Sequence, residues 1–212
     1  LKYKNKYCGS FGDISILSFY ANKHITTGEG GMLLTNNSKL NEKFKDNRNL
    51  CFGSKNNRFN HYDISWNYRY TNIQACLGLN QLKRIKQIVK KKFEIGNYYY
   101  KHFRNLNNII LQPNKLSYCK NIYWVFGMVI KKNSKIKVDE VVKKLNKKNI
   151  GTRPFFWPMH KQDALIKKGY FKKLTLQNSE FISKNGFYLP SGLALTSKEL
   201  KFIKDTVISI LK

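Results

Sequence analysis

Short apolar runs and longer amphipathic stretches divide this chain into strand-length and helix-length pieces. Ile14, Ile16, Leu17 and Phe19 form one apolar run and Met32, Leu33 and Leu34 another, and both read as buried strands. Asn36, Asn37 and Ser38 supply a turn and a helix cap, after which Leu40, Phe44 and Leu50 space a short helix. From Cys51 to Tyr70 the chain is polar, aromatic and irregular, with Gly53, Asn56, Asn57 and Asn60, which predicts a loop. Thr71 to Gln74 has the form of a capping box. Beyond it Ile73, Cys76, Leu77, Ile85, Ile88, Val89 and Phe93 recur at helical spacing, which predicts one helix running to about Leu106, on the order of 50 Å long, with Gly96 as a bend.

After Pro113 the pattern changes. Ile122 to Ile130 reads as a strand, Val138 to Asn149 as a helix with Val141, Val142 and Leu145 on one face, and Thr152 to Trp157 as an extended segment. Phe187 to Leu189 reads as a third strand. Thr196 to Glu199 is a second capping box, opening a last helix with Leu200, Ile203, Val207 and Leu211 inward. The chain therefore belongs to the α/β class. It contains no internal repeat.

Composition narrows the function classes. With 212 residues, 42% hydrophobic and 14% aromatic, the chain is globular rather than disordered. A net charge of +28 raises the prospect of a nucleic-acid binder, whose affinity comes from Lys and Arg on phosphates. The basic residues are spread along the chain, however, and runs such as Lys90 to Lys92, Lys143-Lys144, Lys147-Lys148 and Lys172-Lys173 fall on helix faces or turns, where a solvated surface is the simpler account. Cys8, Cys51, Cys76 and Cys119 contain no C-x-x-C pair, and His24, His61, His102 and His160 have no ligand-like spacing. Neither a metal site nor a disulfide framework is expected, and a reducing cytoplasm is. No apolar run reaches membrane-spanning length and no signal peptide opens the chain.

One stretch calls for a chemical explanation. Between the first two strands lies a single lysine, Lys23, in a link of small and polar residues, followed by the Gly-rich turn Gly28-Glu29-Gly30-Gly31. A lysine held at the rim of a sheet and partly dried is suited to act as a Schiff-base nucleophile. Composition alone leaves the alternative open that Lys23 is one more surface lysine.

The order Ser18-Phe19-Tyr20-Ala21-Asn22-Lys23-His24-Ile25-Thr26-Thr27-Gly28-Glu29-Gly30-Gly31-Met32 follows Gly9-Ser10-Phe11-Gly12-Asp13 and precedes Trp66 to Ala75, Thr152 to His160 and Leu189 to Gly192. Together these segments resemble the DegT/DnrJ/EryC1/StrS family of pyridoxal-phosphate-dependent sugar aminotransferases. The Thr152 to His160 segment is most similar to the family's perosamine-synthesising branch. The resemblance implies a fold-type I aminotransferase fragment: the end of a large αβα domain with a long linking helix in 1–92, and a small α/β domain in 93–212. The family's Asp that pairs with the pyridine nitrogen would precede the first residue here, so the resemblance implies that the N-terminal half of the large domain is missing and that these residues alone are inactive.

The resemblance also implies roles. Lys23 would bind pyridoxal phosphate covalently and move protons, Ser18 would donate to the cofactor phosphate, and Asn67 would reach the phosphate of a neighbouring subunit, giving an obligatory homodimer with shared sites. Arg69, Arg153 and His160 are candidates for the diphosphate or sugar of the substrate. Phe155, Phe156 and Trp157 either stack a base or fill the core, and core packing is expected. The implied partners are a nucleotide-linked keto sugar and glutamate, with no nucleic acid, membrane or metal. The competing reading is a non-enzymatic basic protein, a nucleic-acid binder or an inactive remnant.

Overall fold

The computed structural model describes residues 1–52, 59–172 and 174–212. Along the chain run β1 (Lys2–Tyr3), β2 (Lys6–Tyr7), β3 (Ser15–Ser18), β4 (Gly31–Leu34), α1 (Ser38–Arg48), α2 (Asn72–Lys83) and α3 (Ile85–Phe103). There follow β5 (Ile109–Leu111), β6 (Lys115–Leu116), β7 (Cys119–Lys120), β8 (Phe126–Ile130), α4 (Val138–Asn146), β9 (Arg153–Pro154), a 3-10 turn (Met159–Lys161), α5 (Asp163–Lys167), α6 (Gln177–Asn185), β10 (Gly186–Leu189) and α7 (Ser197–Leu211). The chain forms two compact units: Leu1–Val89 with Ser117–Cys119, and Lys90–Leu116 with Lys120–Lys212. The loop expected from Cys51 to Tyr70 includes Gly53, Asn56 and Asn57, which lie outside the described residues, as does Lys173.

In the first unit, helix starts follow the caps read from sequence. The Asn37 side chain accepts from the Leu40 N–H to open α1, and Thr71 and Gln74 cap each other's backbone to open α2. β3 and β4 pair antiparallel, Ile16 opposite Leu33 and Leu17 opposite Met32. They form the expected strands but are not buried: Ile16 is 78% exposed, and Leu17, Met32, Leu33 and Leu34 are exposed as well. The reason is that the two strands form a sheet by themselves. Successive side chains point to opposite faces, and in the described residues neither face carries a covering layer.

The single long helix predicted from Thr71 is two helices. α2 ends at Lys83, where Arg84 takes a non-helical conformation and its N–H bonds back to Gln81, and α3 begins at Ile85. Gly96 is not a bend in α3. A Cβ there would lie 2.2 Å from the Tyr123 ring, so this glycine is a notch that admits an aromatic side chain.

The second unit carries the core. Its sheet has the order β5-β8-β10-β9, all antiparallel, with Phe187 opposite Met128 and Tyr188 opposite Gly127. Ile95, Tyr99 and Phe103, at helical spacing on α3, pack with Phe126, Met128 and Ile130 of β8, Val141 and Leu145 of α4, and Ile203, Val207 and Leu211 of α7. Rings dominate this core; Tyr99 stacks on Phe103 at 5.6 Å. β8 begins at Phe126 rather than Ile122 because Tyr123, buried at φ 50°, turns the chain before the strand. α4 stops at Asn146, three residues short of the expected end. Asn149 adopts φ 56° and the Ile150 N–H returns to the Leu145 carbonyl, a left-handed helix stop that asparagine tolerates. No described helix is long and apolar enough to cross a membrane, and the four cysteines are free thiols.

Candidate active site around Lys23

β3 ends at Ser18, which lies opposite Gly31 at the start of β4. The intervening chain closes on itself: Phe19 donates to the Gly30 carbonyl at 2.9 Å, Thr27 donates to Phe19 at 2.9 Å, and the Lys23 N–H donates to the Tyr20 carbonyl at 3.0 Å. Lys23 thus sits, half-buried, within a loop whose ends are tied together.

Side chains from α2 and its approach hold that loop from outside. The Thr26 N–H donates to Gln81 Oε1 at 3.0 Å, while Gln81 Nε2 donates to the Thr26 carbonyl at 2.6 Å. Gln74 Nε2 donates to the Glu29 carbonyl at 3.2 Å, and the Tyr70 hydroxyl donates to Thr27 Oγ1. Gly30 has φ 130°, and a Cβ there would stand 2.5 Å from the Tyr70 ring, so both backbone conformation and space require glycine. Tyr70, Gln74 and Gln81 are the residues that sequence reasoning missed. The spacing of Gln74 and Gln81, two helical turns apart on one face of a predicted helix, was the available signal.

The donor set fits an anionic cofactor bearing a carbonyl and a phosphate. Ser18 Oγ, exposed at the strand end, accepts the Tyr20 N–H at 3.4 Å, which leaves its own proton to donate. Asn67 Oδ1 accepts from Arg69 Nε at 2.8 Å and from the Arg69 N–H at 3.4 Å, so the carbonyl end of this amide is occupied. Its NH2 and the remaining guanidinium N–H groups are exposed donors. The segment carrying them is anchored by the Tyr68 N–H on the Arg48 carbonyl, and Trp66 and Tyr68 stack on its other side at 5.8 Å.

Arg153 and His160 lie in the second unit. Arg153 is exposed on β9 opposite Tyr188. His160 is only 5% exposed, and its Nε2 is 3.0 Å from Glu180 Oε1. Glu180 also accepts the Leu176 N–H and faces Lys161, and its carboxyl is held below the usual range, first by the His160 hydrogen bond. His160 Nε2 is thus engaged by Glu180, a contact that ties the 157–162 segment to α6. The expected core packing of Phe155 to Trp157 is corrected in part. Phe155 faces inward, but Phe156 and Trp157 are 65% and 62% exposed.

A cleft of about 530 Å³ opens against α1, lined by Glu42, Asp46, Cys51 and Tyr62 among others. The Tyr62 hydroxyl is pushed above its usual range, chiefly by its hydrogen bond to Asp46. None of the expected site residues lines this cleft, and among the described residues no cluster of His, Cys, Asp and Glu could hold a metal ion.

Comparison with known proteins converges with this geometry. GDP-perosamine synthase of Escherichia coli O157:H7 is 33% identical over 210 residues, which are 97% of this chain and 54% of that protein. GDP-perosamine synthase of Caulobacter vibrioides is 32% identical over 99% of this chain and 54% of its own length. The chain thus spans about half the length of these relatives. Among solved structures, Helicobacter pylori PseC, an aminotransferase involved in the biosynthesis of pseudoaminic acid, superposes with a TM-score of 0.87 at 26% identity, over 99% of this chain and 56% of that one. A Streptoalloteichus hindustanus aminotransferase, TlmJ, shares the fold at a TM-score of 0.86. The sequence profile of the DegT/DnrJ/EryC1/StrS aminotransferase family matches residues 1–208, and the chain belongs to that family.

Proposed function

We propose that the whole protein transfers an amino group from glutamate to a nucleotide-linked 4-keto-6-deoxy sugar of the perosamine type, using pyridoxal phosphate, for surface glycan synthesis in the cytoplasm. The observation that carries this is a half-buried lysine in a loop clamped by Gln81, Gln74 and Tyr70, in a chain one-third identical to a GDP-perosamine synthase. Residues 1–92 serve as the later part of a large cofactor-binding domain with its linking helix, and 93–212 as the small domain.

Pyridoxal phosphate, when bound, supplies a carbonyl to the lysine amine and a conjugated ring that accepts the electron pair released when a C–H bond breaks. Lys23 Nζ would hold the cofactor and, when free, would carry a proton between the two carbons as general base and acid. Ser18 Oγ–H donates to the phosphate. Asn67 Nδ2–H donates to the phosphate bound in the neighbouring subunit of a homodimer, with Arg69 fixing the amide so that its donor end faces outward. Arg69 and Arg153 each carry a planar fork of the kind that suits a diphosphate, and His160 positions the loop beside Arg153.

The test is absorbance together with turnover. The whole protein incubated with pyridoxal phosphate gives the visible band of a lysine-bound cofactor and aminates a GDP-linked keto sugar, and Lys23→Ala loses both. Survival of both in Lys23→Ala overturns the assignment. The 212 residues alone give no useful turnover.

A further inference from the structure

The second unit exposes two aromatic side chains that the transamination chemistry does not use, and it holds them rigidly. Phe155 fixes the segment: its ring occupies the space above Gly127 and Gly186, where a Cβ would come within 2.6 and 2.2 Å of it. The next two residues point outward. Phe156 is 65% exposed and stacks on Trp124 with centroids 5.9 Å apart and planes at 17°. Trp157 is 62% exposed, and its indole N–H is committed to the Lys161 carbonyl at 2.8 Å. The loop beyond is pinned through His160 and Lys161 to Glu180. Exposed rings that are ordered by an inward-packed neighbour and by hydrogen bonds mark a binding surface rather than loose apolar residues.

We propose that Phe156, supported by Trp124 and flanked by Trp157, is the platform on which the nucleobase of a nucleoside diphosphate stacks, while Arg153 takes its phosphates. Arg153 is exposed, makes no ion pair among the described residues, and lies three residues before Phe156, so the two Cα atoms are within about 10 Å along an extended chain. That combination of a flat ring and a planar cation matches a base carrying phosphates. Every base has a π-face, so the platform tolerates guanine and uracil alike. This inference rests on the sugar-nucleotide reading above, whose relatives include enzymes named for GDP-linked and UDP-linked sugars.

The test uses the whole protein, and the emission of Trp124 and Trp157 is taken as the difference from the same protein carrying Trp124→Phe and Trp157→Phe. GDP, UDP, inorganic pyrophosphate and a single-stranded oligonucleotide are titrated separately at fixed salt. GDP and UDP are expected to quench saturably and pyrophosphate to leave the emission unchanged. Phe156→Ala should weaken both nucleotides about tenfold, the scale of one lost stacking ring, and Phe156→Tyr should restore them with the same melting temperature. No saturable quench by either nucleotide overturns the proposal, as does Phe156→Ala binding them like the parent. Phe156-dependent quenching by the oligonucleotide alone would assign the platform to nucleic acid and overturn it. A shift in sedimentation upon Phe156→Ala, with nucleotide binding intact, would assign it to a protein interface and overturn it equally. The lysine-bound band does not involve these rings, so its absence from a whole protein that still binds GDP would sink the transaminase reading and spare this one.

Discussion

Gln81 reaches across from α2 to Thr26 with both ends of its side-chain amide, accepting from the Thr26 N–H and donating to the Thr26 carbonyl. One side chain thereby satisfies the whole backbone polarity of a loop residue, as a neighbouring strand would, three positions beyond Lys23. Gln81→Ala leaves both groups without that partner, at a cost of about 1–3 kcal/mol. The expected outcome is a lower urea midpoint for the chain and weaker capture of pyridoxal phosphate by the whole protein. Unchanged capture with lowered stability would show that the clamp does not position Lys23.

Gly96→Ala sets two effects against each other. Alanine gains about 1 kcal/mol of helix propensity over glycine, but its Cβ would fall 2.2 Å from the Tyr123 ring, which is buried in the core. Overpacking a dense core costs about 1–3 kcal/mol or more, and Tyr123 is further held by its hydroxyl on Asn114. Packing wins, so the variant melts lower than the parent. A higher melting temperature would mean that Tyr123 moves away without cost.

Lys92 gives the chain an alkaline signature. Its ammonium is buried, with Nζ 2.8 Å from the Ser191 carbonyl and 3.2 Å from the Ser191 hydroxyl, and desolvation lowers its pKa to about 8. The unfolded chain holds this proton up to the ordinary value of 10.5. Between about pH 8 and 10.5 the unfolded state therefore binds more protons, and stability rises with pH through that window. Lys92→Met flattens the rise, which denaturant titrations at pH 7.5 and 10 would measure. An equal slope in both proteins would contradict this account.

On the acid side the sign is reversed. Glu180 titrates below its ordinary value because His160 and the Leu176 N–H stabilise its charged form. Its contribution is present above the unfolded value of 4.5 and is lost as pH falls through the lower folded one. Glu180→Gln should lose the extra unfolding seen in acid below about pH 4.5, with the 157–162 loop loosened at neutral pH, as read by Trp157 emission. An unchanged acid limb would place the linkage elsewhere.

The β3–β4 ribbon predicts behaviour in solution. Ile16 and Leu33 face each other across the pair and are both exposed, an apolar surface that favours association. Replacing them with Thr and Lys should leave the unfolding free energy of the chain within about 0.5 kcal/mol of its parent while reducing dye binding and aggregation on light scattering. A large loss of stability would show that these side chains pack in the chain.

Local signals were legible without coordinates because their causes are local. The Thr71–Gln74 and Thr196–Glu199 boxes each close within four residues, and the inward face of α7 follows from a 3.6-residue period alone. The order of residues around Lys23 likewise sufficed to name the family. Tertiary structure decided what depends on partners distant in sequence. It broke the long helix at Arg84, turned Gly96 from a bend into a notch for Tyr123, buried His160 against Glu180, and sent Phe156 outward while Phe155 went in. It also left the strand residues beside Lys23 exposed, because an apolar run states what a side chain would bury, whereas burial requires a covering layer that only the assembled chain can supply.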